Sequence, residues 1–325
     1  MSRILVTGAA GFIGFHTARR LLEQGHDVLG IDNLSPYYDV DLKKARLAIL
    51  KSENGFSFTL ADIHDAEAVH RIFEQAKPEY VLHLAAQTGV RHSLDAPRDY
   101  LDANLSGFLN VLEGARHHRV RHLMYASSSS VYGANQHVPF GERDRVDCPM
   151  SLYGATKRAN ELMAYSYAHL YRIPTTGLRL FTVYGPWGRP DMAYYLFSEA
   201  IVSEKPIKVF NEGRCSRDFT YIDDVVYAVN ELLFRPPADS PPSRLLNVGR
   251  GEPVSLLKMI ALLEENLGKT TAKELLPMQP GDVEATHANI DALDALVPNR
   301  PGISLAEGIA RFADWYRSYR ALDAR

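Results

Sequence analysis

The stretch Arg3-Ile4-Leu5-Val6-Thr7-Gly8-Ala9-Ala10-Gly11-Phe12-Ile13-Gly14 joins an apolar run of strand type to a glycine-rich turn and then to an apolar-periodic segment. A strand–turn–helix of this kind holds a dinucleotide pyrophosphate. Gly8 permits the tight turn, Gly11 the close approach of backbone to phosphate, and Gly14 the close packing of helix on strand. The free N–H groups where the helix starts, around Ala10, Phe12 and Ile13, face the anion. The spacing is GxxGxxG rather than the commoner GxGxxG.

A second strand, Asp27-Val28-Leu29-Gly30-Ile31-Asp32, ends in an acid at the interval expected for the carboxylate that accepts from the adenosine ribose. A carboxylate there repels a 2′-phosphate, and no arginine follows in Asn33-Leu34-Ser35. The expected cofactor is therefore NAD rather than NADP.

Composition narrows the function classes. At 325 residues with a net charge of −3, the chain can bury a large core and carries no basic field for nucleic acid. No apolar run approaches the ~20 residues that span a bilayer. The first strand lies at the N-terminus, so no signal peptide is expected. Cys148 and Cys215 give no disulfide framework, which makes a reducing cytoplasm the expected location. No cysteine or histidine spacing suits a metal, and none is expected. His117, His118 and His122 are read as a solvated helix end.

Strand patterns lie near residues 3–7, 27–32, 56–61, 80–85, 121–127 and 175–181, and helical patterns include 12–24, 65–76, 104–118 and 153–171. This alternation predicts an α/β fold, a Rossmann-type doubly wound parallel sheet. Residues 1–183 are expected to form mainly the NAD-binding domain, which also receives segments near 217–248. Residues 184–325 are expected to form mainly a smaller substrate lobe. Residues 235–243, rich in proline, read as an exposed loop rather than a linker.

Ser151-Leu152-Tyr153-Gly154-Ala155-Thr156-Lys157 contains YxxxK. On a helix Tyr153 and Lys157 share one face. A free tyrosine has a pKa of ~10, and moving it to ~7 takes roughly 4 kcal/mol, which nearby positive charge supplies. Upstream, Tyr125-Ala126-Ser127-Ser128-Ser129-Ser130-Val131-Tyr132-Gly133 follows a strand pattern and should sit at its carboxyl end, where ligands bind in open α/β sheets.

These motifs, in this order, resemble the extended short-chain dehydrogenase/reductase family, among its nucleotide-sugar epimerases and dehydratases. The resemblance runs over nearly the whole chain: TGAAGFIG, Asp32-Asn33, Asp62-Ile63, Leu84-Ala85-Ala86, Asn104, SSSSVYG, Tyr153 with Lys157, and Arg217-Asp218-Phe219. It implies that Asp62 and Ile63 bracket the adenine and that Leu84, Ala85, Ala86, Asn104 and Val183 line the cofactor groove. It implies Ser128, Tyr153 and Lys157 as the catalytic set, with Lys157 also on the nicotinamide ribose. Gln87, Arg91, Ser128, Ser129, Ser130 and Thr182 are implied on the substrate, Arg217 on its diphosphate and Asp282 on its uridine ribose.

Dehydratases of the family place acids just before the valine of SSSSVYG, and decarboxylases carry a glutamate nearby. Here those positions are Ser129 and Ser130, which favours hydride return and 4-epimerisation. The runs SPYYD at 35–39, FTVYGPWGRPDMA at 181–193 and QPGDV at 279–283 resemble UDP-glucuronate 4-epimerases. That resemblance makes a UDP-sugar the expected substrate and Arg189 the partner of its carboxylate, since a guanidinium fork matches a carboxylate with two parallel donors. A UDP-glucose/galactose 4-epimerase, a UDP-glucuronate decarboxylase and a non-catalytic NAD-binding regulator remain alternatives. Family members commonly dimerise through two helices, here near 104–118 and 153–171, so a homodimer is expected.

Overall fold

Alternating apolar residues dictate how the first strands are covered. Ile4 and Val6 lie in one buried cluster and Leu5 in another, and Tyr80 and Leu82 alternate with Val81 in the same way. Strands with such a period of two are buried on both faces. The computed structural model describes residues 1–278 and 283–323. In chain order it contains β1 (Arg3–Thr7), α1 (Phe12–Glu23), β2 (Asp27–Asp32), α2 (Val40–Lys51), β3 (Phe56–Leu60), α3 (Ala66–Ala76) and β4 (Tyr80–His83). Short helices α4 (His92–Asp95) and α5 (Pro97–Tyr100) lead to α6 (Gly107–His117), β5 (His122–Ser128), α7 (Leu152–Tyr171), β6 (Thr175–Leu180) and β7 (Thr182–Tyr184). Then come α8 (Ala193–Val202), β8 (Ile207–Phe210), β9 (Ser216–Tyr221), α9 (Ile222–Leu233), β10 (Ser243–Val248) and β11 (Pro253–Ser255). The last elements are α10 (Leu256–Leu267), β12 (Lys273–Leu276), α11 (Asp291–Leu296) and α12 (Leu305–Asp323).

The main sheet has the order β10-β6-β5-β4-β1-β2-β3, with every pairing parallel. This is the expected doubly wound arrangement. Strand order reverses between β1 and β4, so a crevice opens beyond their carboxyl ends. Gly8 turns the chain there at φ 72°. A Cβ on Gly14 would lie 2.0 Å from the Gly8 carbonyl oxygen, so only glycine lets α1 seat on the turn.

Later segments return to this sheet and build beside it. β10 adds its edge strand next to β6. β11-β9-β7 form a three-stranded sheet, and β12 pairs with β8. Tyr194, Met259 and Phe312, from α8, α10 and α12, share one apolar cluster with Val6 and Phe15 of the first unit. No helix among the described residues is long and apolar enough to cross a membrane.

Two expectations need correction, and a third gains detail. The helix expected from residue 104 begins at Gly107, because Leu101–Ser106 forms a π-helical turn. Such turns often mark functional sites. His122 is not at a solvated end: it is buried in β5, with Nδ1 against Leu233 O at 2.8 Å and Nε2 against Thr176 Oγ1 at 2.8 Å. Burial pushes its pKa down to about 4. The 235–243 loop is largely exposed, yet Pro237 and Pro242 are buried and Arg235 ties to Leu296 O.

Candidate active site

α1 starts at Gly11 with no side-chain cap, so its first N–H groups lack protein acceptors. Phe12, Ile13 and Gly14 present them toward the crevice end of β1. Thr7 joins this turn to the next strand: its Oγ1 accepts from Leu84 N at 3.1 Å and Ala85 N at 3.0 Å. Leu84, Ala85 and Ala86 thereby lie along the same groove. Buried Asp32 accepts from Ala10 N at 3.1 Å and Leu34 N at 2.8 Å. A carboxylate has about four acceptor sites, so capacity for ribose hydroxyls remains. Asn33 Nδ2 donates to Asp62 Oδ2 at 2.9 Å, which sets Asp62 beside the end of β2, and Ile63 is buried against Gly107. These residues fit a dinucleotide: an uncapped helix start, a glycine turn and an acid at the end of β2.

Asn104 does not face the groove with a free amide. Its Oδ1 accepts from Gln87 N at 2.8 Å, and its Nδ2 donates to Gln87 O and Thr156 Oγ1, both at 3.0 Å. Protein partners therefore use its amide, and it positions the 84–87 segment against α7. Gln87 Nε2, in contrast, is buried without a partner. An orphaned buried donor costs free energy unless a ligand accepts from it.

Ser151 caps α7 by accepting from Gly154 N at 3.1 Å. The helix then buries Gly154, Thr156, Lys157, Asn160, Glu161, Ala164 and Ala168, a helical stripe that carries Lys157 to the end of β5. Lys157 Nζ donates to Ala126 O at 3.0 Å, and burial pushes its pKa down to about 8. Tyr153 sits one turn earlier. Burial raises its phenol, while a hydrogen bond from Ser128 and the charge of Arg189 pull it back. Tyr100 lies edge-on to Tyr153, with ring centroids 6.2 Å apart.

The serine run divides into different jobs. Ser127 is buried and donates to Glu161 Oε1 at 2.7 Å, so its proton is committed and it is no spare donor. Ser128 Oγ accepts from Ser130 N at 3.1 Å and reaches Tyr153. Ser129 and Ser130 open the short turn that follows, half-buried.

On the opposite wall, β7 carries Thr182 half-buried and Val183 buried. The loop after it is tied to the cofactor unit from below. His16 Nε2 lies 2.9 Å from Pro186 O; burial pushes this imidazole down to about 4, so it is neutral and donates. Fully buried Arg46 donates from Nη1 to Ala10 O at 2.9 Å and from Nη2 to Trp187 O at 2.6 Å and Gly188 O at 3.1 Å. One guanidinium thus clips the glycine turn to the 186–192 loop. Sequence reading missed it because α2 was not among its helices. Asp39, which caps α2 by accepting from Asp41 N at 2.8 Å, and the buried Leu42, Leu47 and Leu50 are the signal that could have found it.

Arg189 is not an open fork. Its Nε donates to Asp191 Oδ1 at 3.0 Å and its Nη2 to Asp191 Oδ2 at 2.5 Å. Arg91 stacks on the Phe210 ring at 5.0 Å. Arg217 on β9 donates to Ser216 O at 2.8 Å and Glu284 O at 3.0 Å, which holds it beside the following segment. Asp282 lies outside the described residues, as does Gln279. No group of three or more His, Cys, Asp or Glu suited to a metal occurs among the described residues.

Residues 4–249 match the model of the NAD-dependent epimerase/dehydratase family. The chain is 50% identical over 334 residues to a Rhizobium meliloti (strain 1021) protein named as a probable UDP-glucuronate 4-epimerase, with 98% of each covered. Its fold matches UDP-glucuronic acid 4-epimerase from Bacillus cereus in complex with UDP-glucuronic acid and NAD, with a TM-score of 0.90 and 33% identity over 98% of this chain and 99% of that one. It also matches a UDP-glucose 4-epimerase from Thermotoga maritima with UDP-glucose, with a TM-score of 0.86 and 30% identity over 98% and 99%.

Proposed function

This chain belongs to the NAD-dependent epimerase/dehydratase family, and from that premise we propose that it interconverts UDP-glucuronate and UDP-galacturonate. The fold is shared with epimerases of neutral sugars, so the choice of sugar rests on the site. One observation carries it: the Arg189 guanidinium already holds a carboxylate, that of Asp191, through two parallel donors, while Ser129 and Ser130 stand where an acid would redirect the chemistry.

Bound NAD would supply a hydride acceptor at C4 of the sugar, and 4-epimerisation requires that the hydride come back to the opposite face of the 4-keto sugar after that sugar has rotated. We assign its pyrophosphate to the α1 start at Ala10–Gly14, its adenosine to Asp32, Asn33, Asp62 and Ile63, and the rest to the Leu84–Ala86 segment, Val183, Tyr153 and Lys157. Tyr153 takes the C4 hydroxyl proton and gives it back, which is general base and then general acid work. Ser128, whose single proton goes to Tyr153 in the free site, turns it to the same C4 oxygen when the sugar binds. Lys157 contributes positive charge that favours the phenolate. Gln87, with its unpartnered Nε2, and Thr182 supply neutral hydrogen bonds to the sugar. Arg217 is assigned to the diphosphate, Asp282 to the uridine ribose and Arg91 to the substrate.

Incubation with UDP-glucuronate, followed by NMR at the sugar protons, tests the reading. Galacturonate signals are expected. A pentose product would indicate decarboxylation, turnover of UDP-glucose alone a neutral-sugar epimerase, and no turnover a binding protein.

Oxidation at C4 makes a β-keto acid, whose carboxylate must be held so that its C–C bond does not align with the ketone. Arg189→Ala is therefore expected to weaken UDP-glucuronate binding and raise the share of turnovers ending in a UDP-4-keto-pentose. Product analysis with UDP-glucose as the neutral control checks this; equal damage to both substrates with no keto-pentose removes Arg189 from the carboxylate.

Arg46→Met is expected to weaken NAD and UDP-sugar together. It leaves the carbonyls of Ala10, Trp187 and Gly188 without this donor, at roughly 1–3 kcal/mol for each buried group left unpaired. Calorimetric titration of both ligands reads the effect. Unchanged affinities would mean that the two loops keep their places without the arginine.

We read residues 1–183 with 217–248 as the cofactor unit and the rest of 184–325 as the substrate unit. We also propose a homodimer through α6 and α7, supported by exposed Leu109, Leu162 and Tyr165, which sedimentation analysis tests. The free thiols of Cys148 and Cys215 support a cytoplasmic site.

A further inference from the structure

We propose that Asp191 is a built-in stand-in for the substrate carboxylate, occupying Arg189 until a uronate displaces it onto Tyr37. The inference rests on the reading of Arg189 as the carboxylate partner. It concerns what that partner does before the substrate arrives.

Three contacts carry it. Arg189 holds both oxygens of Asp191, through Nε at 3.0 Å and Nη2 at 2.5 Å. Tyr37 Oη donates to the same Asp191 Oδ2 at 3.2 Å from a different part of the fold. Gly89 makes room for Tyr37, since a Cβ there would lie 2.4 Å from the phenol oxygen. Burial opposes charge on both Arg189 and Asp191, yet each holds the other ionised: the carboxyl lies below its usual range and the guanidinium above. Burial and Asp191 push Tyr37 up to about 12, so it stays a donor at neutral pH.

The exchange selects by charge. A uronate carboxylate offers Arg189 the same bidentate geometry that Asp191 offers, so little is lost at the guanidinium when one replaces the other. The displaced Asp191 keeps its hydrogen bond from Tyr37. A hexose hydroxymethyl group offers Arg189 only a neutral acceptor, and charge-assisted hydrogen bonds are about twice as strong. A neutral sugar therefore leaves the Arg189–Asp191 pair closed. The internal carboxylate lowers affinity for the uronate but keeps a half-buried guanidinium from standing unpaired, which would cost more.

The test is calorimetric titration of the full-length, NAD-loaded chain on a Tyr153→Phe background, so that ligand binds without turnover. The ligands are UDP-glucuronate, UDP-glucose and UDP. Asp191→Asn keeps the shape and removes the competing charge. It is expected to tighten UDP-glucuronate by roughly ten- to a hundredfold, the equivalent of a charge-assisted hydrogen bond, without a matching gain for UDP-glucose or UDP. Adding Arg189→Gln should abolish that gain. A merely structural role would move all three ligands alike. If Arg189→Gln alone selectively weakens UDP-glucuronate while Asp191→Asn gives no selective gain, the stand-in is overturned and the carboxylate reading survives. If Arg189→Gln weakens UDP-glucuronate and UDP-glucose equally, both fall together.

Discussion

Tyr153→Phe is expected to lower kcat by about 10²–10⁴, the usual scale of a lost general acid–base group. NAD and UDP-glucuronate should still bind, because the ring keeps its place against Tyr100 and only the phenol oxygen is lost. No neighbour can replace it. Ser128 is a hydroxyl of much higher pKa, the Ser127 proton is committed to Glu161, and Lys157 points its ammonium at Ala126 O. Steady-state rates beside measured ligand affinities check the split. Turnover close to that of the parent chain would remove Tyr153 from proton transfer.

Glu161→Gln is expected to destabilise the fold by about 3–5 kcal/mol, the cost of breaking a buried ion pair from one side. Glu161 accepts from Arg179 Nε at 2.8 Å, Arg179 Nη2 at 2.9 Å, Arg158 Nη1 at 3.1 Å and Ser127 Oγ at 2.7 Å. Arg179 is fully buried, and Tyr132 Oη and Glu142 O, its other partners, are neutral. Without the carboxylate its charge stands uncompensated between β5, β6 and α7. Urea unfolding measures the loss. Replacing Arg179 and Glu161 together by Met and Leu should recover part of it, since apolar pairs of similar volume often substitute for buried ion pairs. A Glu161→Gln loss within ~0.5 kcal/mol, the range of an ordinary surface substitution, would contradict the ion-pair argument.

The parts of the site that could be read from residues are those in which one local element carries its own chemistry. Gly8, Gly11 and Gly14 specify a turn because backbone geometry there admits no Cβ. Tyr153 and Lys157 share a face because helix spacing puts them there. The strands near 3–7, 27–32 and 175–181 follow from apolar patterning alone, and their parallel order from alternation with helices.

The parts that the residues alone did not show depend on groups far apart in the chain. His122 looks like a polar residue at a helix end, yet Leu233 and Thr176 satisfy both of its ring nitrogens inside the sheet. Asn104 is expected in the cofactor groove, and its amide also ties Gln87 to Thr156, which spacing alone does not show. Arg46 lies on α2, a helix not marked from the sequence, and only packing brings Ala10 and Gly188 to it.

By itself the sequence determined the parallel α/β sheet, the glycine turn after the first strand and the placing of Tyr153 and Lys157 on one helix, because each depends on periodicity or spacing within a few residues. Tertiary structure alone decided which polar groups are already taken. It gave Ser127 to Glu161, Asn104 to Gln87, and the Arg189 fork to Asp191 with Tyr37 behind it. A hydrogen bond depends on positions to within a few tenths of an ångström, and chain segments 154 residues apart, such as Tyr37 and Asp191, reach them only when the whole core packs.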